Sequence, residues 1–454
     1  MPKGTIHRTI RLLQKALSDL DCVVSVESLE KMGVMVNSAM SVQNRNFHTP
    51  DHIFNLADPE NPHMSLAAIY HDIVYYQVDD GFLPDIERIV APYIVASGEG
   101  IRLVNEPAAS DLPFVLCLGV FGFSPGQHLS PFGGMNEFLS ALVMTCQLQT
   151  IITTYDLLVT TACIEATIPF RGSDELGKWP SDRLKKNLLA ANDSLGLGIS
   201  DSDLDQAVKW AVTFANRDVE NFAEEDVAAF LDNTWKLLPE TNPALRMKGM
   251  YSIMSYRTAL QKMEGFLRAL DPDSIFCTYM DTPSDDAYRE LVGRANRNVS
   301  VAREYLGIKL LTASILEAMA LISGGDAPVA YFLGELTSGH DGEKMDDNLP
   351  TQELEHHHSV DPTLRDLLAV GRASGSSFDS KNSPLSLFIY LHLGSDGFHK
   401  GLESARKLFS GDMAAKKLLD SLPETMIGPI VTACSDMAFT RKDALQSYAA
   451  SRGS

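Results

Sequence analysis

Three histidines and an aspartate lie close together near the N-terminal end of the chain, in the order His48, His52, His71 and Asp72. Imidazole nitrogens and carboxylate oxygens are the ligands of catalytic transition-metal sites. A set of three or four such ligands leaves metal positions open for water and substrate. These residue types in this spacing therefore predict a metal-dependent hydrolase.

The residues around the first two histidines predict how they are positioned. Thr49 and Pro50 are typical of a helix start, with a capping side chain followed by proline at the first helical position. His48 then precedes the helix and His52 lies in its first turn, so both side chains can face one cavity.

The second pair is predicted on a helix over 65–77, whose apolar residues recur at helical spacing. Adjacent residues of a helix differ in direction by about 100°. His71 and Asp72 can therefore reach one metal ion only if the ion lies beside that helix, between their two directions.

Three motifs carry a resemblance to a known family: R-x-x-H-x-x-x-H-I at 45–53, Y-H-D-I-V-Y at 70–75 and N-E-x-x-S-A at 136–141. With them the chain resembles the HD superfamily of metal-dependent phosphohydrolases, and more closely a group of predicted HD hydrolases that shares these motifs. The resemblance implies an all-α HD-domain helical bundle with ligands in the order H…HD…D. It makes residues 77–135 a large insertion, and it extends over 45–222 only.

The resemblance also implies roles for individual residues. The metal ligands are expected to be His48, His71, Asp72, a later aspartate and, as a further ligand, His52. Asp72 and Glu137 are candidates for the base or for positioning water, and Glu137 is alternatively expected to orient a ligand histidine. Arg45 is expected to steady Asp72 or a helix end, or to bind substrate phosphate.

Two aspartates compete for the later ligand position. Asp218 continues the apolar stripe of a predicted helix over 202–217, which consists of Leu204, Ala207, Val208, Ala211 and Ala215. A carboxylate on an apolar face costs free energy unless it is paired or bound to metal, which favours Asp218. The competitor, Asp156, lies in a predicted helix over 136–168. The family then tends to show I-x-x-T-x-x-H, and here Phe170 stands where that histidine is expected.

Other polar residues receive weaker predictions. Glu165 is either a further candidate base or a buried acid paired with an arginine. His63 and His128 are expected in exposed loops, and the histidine run 356–358 is expected to bind metal at most adventitiously.

The composition restricts the partners. The chain of 454 residues has a formal net charge of −21, from 59 acidic against 38 basic residues. An acidic surface disfavours nucleic acid and anionic membranes as partners, although a bound metal ion can still attract an anionic substrate. The expected cofactor is a divalent ion, with Mn, Fe, Zn, Co and Mg not distinguished, and the expected partner is a small phosphorylated substrate. Six unpaired cysteines in mostly apolar runs predict a cytoplasmic protein.

Four segments are predicted: a metal-binding helical domain at 1–240, a helical extension at 241–322, an irregular acidic linker at 323–385 and a small helical unit at 386–454. The apolar and glycine-rich stretch 98–134 is expected to form a lid or an oligomer contact, which leaves a homodimer open. The predicted function is hydrolysis of a phosphoester of a small, nucleotide-like substrate by metal-activated water. The alternatives are an HD-type di-iron oxygenase and a non-catalytic helical interaction protein with a structural metal.

Overall fold

The computed structural model describes residues 4–98, 100–106, 108, 110–175, 177–247, 250–334, 345–350, 359–376 and 378–452. Over these ranges the chain is overwhelmingly helical, with three short strands, so the all-α prediction is confirmed. The described residues form two compact units: unit 1 contains 1–223 and 271–295, and unit 2 contains 224–270 and 296–454. This division differs from the four predicted segments, because 271–295 groups with the N-terminal part and the predicted linker and C-terminal segment fall in one unit.

Within the described ranges unit 1 contains ten complete α-helices, the first part of a long helix that continues into unit 2, and one small sheet. Its helices are α1 (Thr5–Asp19), α2 (Val26–Met40), α3 (Pro50–Leu56), α4 (Pro62–Tyr70), α5 (Pro84–Val90), α6 (Leu112–Phe121), α7 (Met135–Leu148), α8 (Thr154–Ala166), α9 (Pro180–Leu195) and α10 (Asp201–Asp218). The strands β1 (Ile94–Ser97), β2 (Gly100–Leu103) and β3 (His128–Leu129) form an antiparallel sheet in that order.

Helix α8 is the central element of unit 1. It packs against α4, α6, α7, α9 and α10, and every residue from Asp156 to Glu165 is buried. A helix that is buried on all sides requires apolar or small residues all round, which is what this nearly uncharged stretch supplies. The single helix predicted over 136–168 is divided, because Thr153 and Asp156 form a capping box that starts α8 after the end of α7.

The stretch 98–134, predicted to pack over another part of the protein or to form a lid or an oligomer contact, contributes to the core of unit 1. Its apolar run forms α6, which begins after the cap Asp111 and packs on α7, α8 and α9. Gly122 ends the helix in the left-handed conformation, with φ of 65°, which glycine adopts without a steric penalty. The rings of Phe121 and Phe123 both contact Phe138 of α7.

The regular secondary structure of unit 2 is helical within its described ranges. Its helices are α11 (Val227–Thr241), α12 (Ile253–Ala269), the later part of α13 (Asp285–Ser323), α14 (Val329–Leu333), α15 (Pro362–Ala369), α16 (Pro384–Phe409), α17 (Ala415–Asp420), α18 (Glu424–Met437) and α19 (Lys442–Arg452). Helix α16 is interrupted at Gly394, whose backbone is not helical. Two short helices, α14 and α15, therefore lie in the predicted linker, and its histidine run 356–358 lies outside the described residues.

Helix α13 is long and apolar enough to cross a membrane by length and composition alone. Its most apolar window of 18 residues has a mean hydropathy of 1.6, and 83% of that window is buried within the protein. Core helices of globular proteins have the same properties.

Candidate metal centre

The predicted ligands meet where three helices of unit 1 begin or end. His52 lies in the first turn of α3, His71 follows the last residue of α4, and Asp218 is the last residue of α10. Helix α4 ends seven residues earlier than the predicted helix over 65–77. His71 and Asp72 therefore stand where the chain leaves the helix, although His71 keeps helical backbone angles (φ −56°, ψ −35°) and its N–H still binds the carbonyl of Ala67.

Four side chains converge there, and we call them the histidine–aspartate cluster: His52, His71, Asp72 and Asp218. The two Nε2 atoms of His52 and His71 are 3.2 Å apart. Oδ1 of Asp218 lies 3.1 Å from Nε2 of His52 and 3.6 Å from Nε2 of His71. Oδ2 of Asp72 lies 2.9 Å from Nε2 of His71 and 3.6 Å from Nε2 of His52.

These spacings fit ligand atoms that surround one metal ion. Nitrogen and oxygen ligands bind a transition metal at about 2.1 Å, so two of them lie roughly 3.0–3.6 Å apart at angles of about 90–120°. The measured separations range from 2.9 to 3.6 Å. Ligand atoms of His52, His71 and Asp218 all lie within 4.8 Å of one another. The donor set therefore fits a divalent transition metal.

His71 is held in the tautomer that a metal requires. Its Nδ1 lies 3.1 Å from the carbonyl oxygen of Ala68, one turn earlier in α4. A carbonyl oxygen only accepts, so Nδ1 carries the proton and donates it. In the neutral ring the lone pair is then on Nε2, the atom that faces the cluster. The imidazole also packs edge-on against Phe214 of α10 at 5.8 Å, which fixes the plane of the ring.

The cluster is electrostatically self-consistent without a metal. Burial alone raises the pKa of Asp72, but His71, His48 and His52 outweigh it and hold that pKa far below its ordinary range. Burial likewise raises the pKa of Asp218, and His52 and His71 lower it to about 2. Burial lowers the pKa of His71, whereas Asp72 and Asp218 raise it well above its ordinary value. Both carboxylates thus stay ionised at neutral pH, as metal ligands must.

His48 lies beside the cluster rather than inside the tightest group. Its ring contacts those of His52 and Tyr75 at centroid distances of 5.8 and 4.9 Å, both edge-on. It is close enough to lower the pKa of Asp72. The structure therefore brings all five predicted ligand residues into one region, with His52 more central than His48.

The third motif holds the segment that follows the cluster. Ser140 of α7 accepts a hydrogen bond from the backbone N–H of Val74 at 3.1 Å. Asn136, one turn earlier, accepts from the N–H of Tyr76 at 3.2 Å and donates to the side chain of Gln77 at 3.0 Å. The Y-H-D-I-V-Y and N-E-x-x-S-A motifs are therefore joined by a direct hydrogen bond, although Val74 and Ser140 are 66 residues apart in the sequence.

Arg45 supports the cluster from behind. Its fork binds both carboxylate oxygens of Asp79 at 2.9 and 2.6 Å, and both side chains are almost fully buried. Its Nη1 donates to the backbone carbonyl of Asp72 at 2.7 Å. The guanidinium is thus occupied in fixing the backbone beside the ligand, which corresponds to the structural role among those expected for Arg45. No sequence signal singled out Asp79 as its partner.

One of the two carboxylate oxygens of Glu137, Oε2, is buried without a hydrogen-bonding partner in the described part of the chain. Burial, with a smaller contribution from Asp72, raises its pKa to about 7. Within the described part of the chain Glu137 makes no hydrogen bond to His52 or His71, so its geometry fits a proton acceptor better than a group that orients a ligand histidine.

Asp156 lies in a different environment from Asp218. Its Oδ1 is 2.8 Å from Nε2 of His63, and its Oδ2 accepts from Thr153 in the capping box of α8. His63 is only 7% exposed, in contrast to the predicted loop position, and stacks on Trp210. His128 is exposed on β3, as predicted. The structure brings Asp218, and not Asp156, to the other ligands.

The residues at and after the end of α8 show what stands in place of the histidine that the resembled family has. Glu165 is buried and paired with Arg171 at 2.6 Å, the second of its two predicted roles. Phe170 has a positive φ of 56°, and its ring packs edge-on against Phe222 at 5.5 Å. Phe170 therefore makes an aromatic contact at the position where the resembled family has histidine. Arg171 was missed by sequence reasoning, which named no partner for Glu165.

Comparison of the chain with protein-family models, with curated proteins and with solved structures finds no match in any of the three.

Proposed function

We propose that the protein is a metal-dependent hydrolase of the HD superfamily that cleaves a phosphoester of a small, nucleotide-like substrate. Two imidazole Nε2 atoms lie 3.2 Å apart, and one oxygen each of Asp72 and Asp218 lies 2.9–3.6 Å from them; this convergence is the observation that supports the proposal most strongly. Nδ1–H of His71 is bound to Ala68, so its neutral ring offers the Nε2 lone pair to a cation, and the two carboxylates offer negative charge.

A divalent ion held by these ligands would lower the pKa of a bound water and polarise a phosphoryl oxygen. The remaining work belongs to the chain. Asp72 and Asp218 hold their charge because their pKa values are lowered. Glu137, with its unpartnered buried oxygen, is the base that we propose takes the proton of the attacking water. Arg45 keeps the backbone of Asp72 in place.

The experiment combines metal content with activity on the purified full chain. Bound metals are measured by mass spectrometry for the wild type, His71→Ala and Asp218→Ala, and for His7→Ala as the control, whose exposed imidazole lies on α1. Hydrolysis is measured with a generic phosphate ester and a panel of nucleotides. We expect about one metal equivalent or more in the wild type and the control, and a loss of both metal and activity in the two ligand variants.

Metal content near zero in the wild type after reconstitution with Mn, Fe, Zn, Co or Mg contradicts the proposal. Metal that binds to His71 and Asp218 without any phosphoester hydrolysis would instead favour the non-catalytic alternative, a helical protein with a structural metal. Activity that survives Asp218→Ala moves the later ligand to another residue.

A further inference from the structure

Unit 2 contains a cavity of about 40 Å³ whose polar side is formed by Lys309, Asp379 and Ser383. All three side chains are buried, with exposures of 7%, 3% and 5%. One water occupies about 10–15 Å³ on this scale, so the cavity has room for about three waters or one group of similar size, such as a carboxylate. It lies entirely within unit 2.

The charges beside this cavity do not balance. Two cations, Lys309 and Arg372, share the single carboxylate of Asp379 at 3.0 and 3.6 Å, and we call these residues the lysine–aspartate cluster. The same Oδ2 of Asp379 also accepts from Trp235 at 2.9 Å and from Tyr256 at 3.0 Å. The cluster therefore carries a net charge of +1 where burial makes an uncompensated charge costly.

Donors also outnumber acceptors in the cluster. Lys309 directs one N–H to Asp379 and another to Ser383 at 3.0 Å, and its third N–H has no nitrogen or oxygen acceptor in the described part of the chain. The Nε of Arg372 is buried without a partner there as well. Buried donors are nearly always satisfied. Lys309 lines the cavity and Arg372 does not, so the third N–H of Lys309 is the donor that points to an acceptor in the cavity that the chain itself does not provide.

The start of α16 adds further donors on the same side. Ser383 precedes the helix, but its side chain makes no capping hydrogen bond. The first N–H groups of a helix have no partner inside it and favour negative charge. Leu385 and Ser386, in this first turn, both line the cavity. The helix start and the ammonium of Lys309 thus border the same small volume.

We propose that this cavity binds the carboxylate group of a small anion whose short aliphatic portion extends along the apolar side of its opening. The carboxylate would accept from Lys309 and from the first turn of α16, and its single charge matches the net charge of the lysine–aspartate cluster. The aliphatic portion fits the apolar wall of Leu316, Leu333 and Leu385. The site depends on unit 2 alone and does not rest on the proposed hydrolase activity.

Ligand binding is tested by isothermal titration and thermal unfolding of the full chain with propionate, at constant ionic strength and with chloride as the reference ion. We expect saturable binding and a concentration-dependent rise in Tm for the wild type. Binding should weaken by about tenfold or more in Lys309→Met, because a charge-assisted hydrogen bond is lost. Lys400→Met, which removes an exposed lysine of the same unit, should bind as the wild type does.

Ser383→Ala provides the second variant, in case Lys309→Met does not fold, because it removes one hydroxyl that binds Lys309. It should retain the fold and bind propionate several-fold more weakly. Absence of saturable binding in the wild type, or equal binding in the wild type and both cavity variants, overturns the proposal. Inorganic phosphate that binds more tightly than propionate in a Lys309-dependent way overturns the assignment to a carboxylate.

Discussion

The two units each bury a cluster of ionisable side chains, and the two clusters are opposite in kind. The histidine–aspartate cluster of unit 1 offers two imidazole nitrogens and two carboxylates, whose oxygens lie 2.9–3.6 Å from those nitrogens. The lysine–aspartate cluster of unit 2 surrounds one carboxylate with two cations and two further donors. The first has an excess of acceptors and the second an excess of donors.

The unpartnered atoms beside each cluster have the same sign as its excess. Glu137 presents a buried acceptor oxygen in unit 1, and Arg372 a buried donor nitrogen in unit 2. Buried polar groups without partners are uncommon and call for a reason. In both units a buried polar group is left unsatisfied, which costs free energy. An unsatisfied acceptor predicts a cation as the ligand in unit 1, and an unsatisfied donor predicts an anion as the ligand in unit 2.

The largest expected difference between the two clusters is in the free energy of unfolding that is lost when one carboxylate is removed from each. Asp379→Asn leaves two buried cations without a counter-charge, so we expect the free energy of unfolding to fall by about 3–5 kcal/mol. Asp218→Asn leaves Asp72 beside His71, so we expect a smaller loss in the metal-free protein, of about 2 kcal/mol, in line with the lowered pKa of Asp218. Chemical denaturation in the presence of a chelator measures both, with Asp366→Asn, an exposed position, as the control. Equal losses in both variants would remove the distinction between the clusters.

Glu137→Gln tests the unpartnered acceptor of unit 1. The amide keeps the shape of the side chain but cannot take a proton, so we expect kcat to fall by about 100-fold or more while metal content stays unchanged. Metal analysis and steady-state kinetics are compared with Glu87→Gln, an exposed control on α5. A parallel loss of metal and activity would show that Glu137 supports the ligands instead of acting as the base.

Arg45→Lys asks whether Arg45 acts on substrate or only supports the backbone of the histidine–aspartate cluster. Arg45 is neutralised by Asp79 and donates to the backbone of Asp72, so loss of the planar fork should lower the free energy of unfolding by about 1–3 kcal/mol. KM for the phosphoester should change little, because the fork has no donor directed at substrate. A raised KM at unchanged stability would assign Arg45 to substrate binding. Arg88→Lys, on the exposed face of α5, is the control.

In the metal-free protein, the stability that each cluster contributes should also depend on pH in a different way. The pKa of Asp379 is lowered despite burial, because of Lys309 and Arg372. Asp379 therefore stabilises unit 2 above the ordinary aspartate pKa of about 3.9, and this is lost as the pH falls through the lowered value. The pKa of His71 is raised, so its contribution is complete below about pH 6.5 and is lost as the pH rises through the raised value.

Each pKa unit of difference between the folded and unfolded states corresponds to about 1.4 kcal/mol of stability. Hydrogen exchange of α4 and α16 in the metal-free protein, corrected for intrinsic rates, is the measurement. Protection of α4 should fall on the alkaline side and that of α16 should not, and His71→Gln should abolish the alkaline loss. An equal loss of protection in α4 and α16 at alkaline pH would contradict this expected difference between the clusters.

The helical class and many of the helix positions follow from local sequence alone. Spacing of apolar residues and start signals such as Thr49-Pro50 act within a few residues, and α3, α9 and α10 begin within one residue of their predicted starts. The apolar run of α6 was placed in an irregular stretch, because neighbouring glycines and prolines dominate the local pattern. Its burial against α7, α8 and α9 depends on distant parts of the chain.

The same division holds for the candidate site. The types and order of His48, His52, His71 and Asp72 are visible in the sequence, and the cost of a carboxylate on an apolar stripe favours Asp218. Only the tertiary structure places Asp218 within 3.1 Å of His52 while Asp156 binds His63, since that choice depends on where α8 and α10 pack. The lysine–aspartate cluster has no sequence signature, because its charges come from separate helices and loops and become one buried group only when those segments fold together.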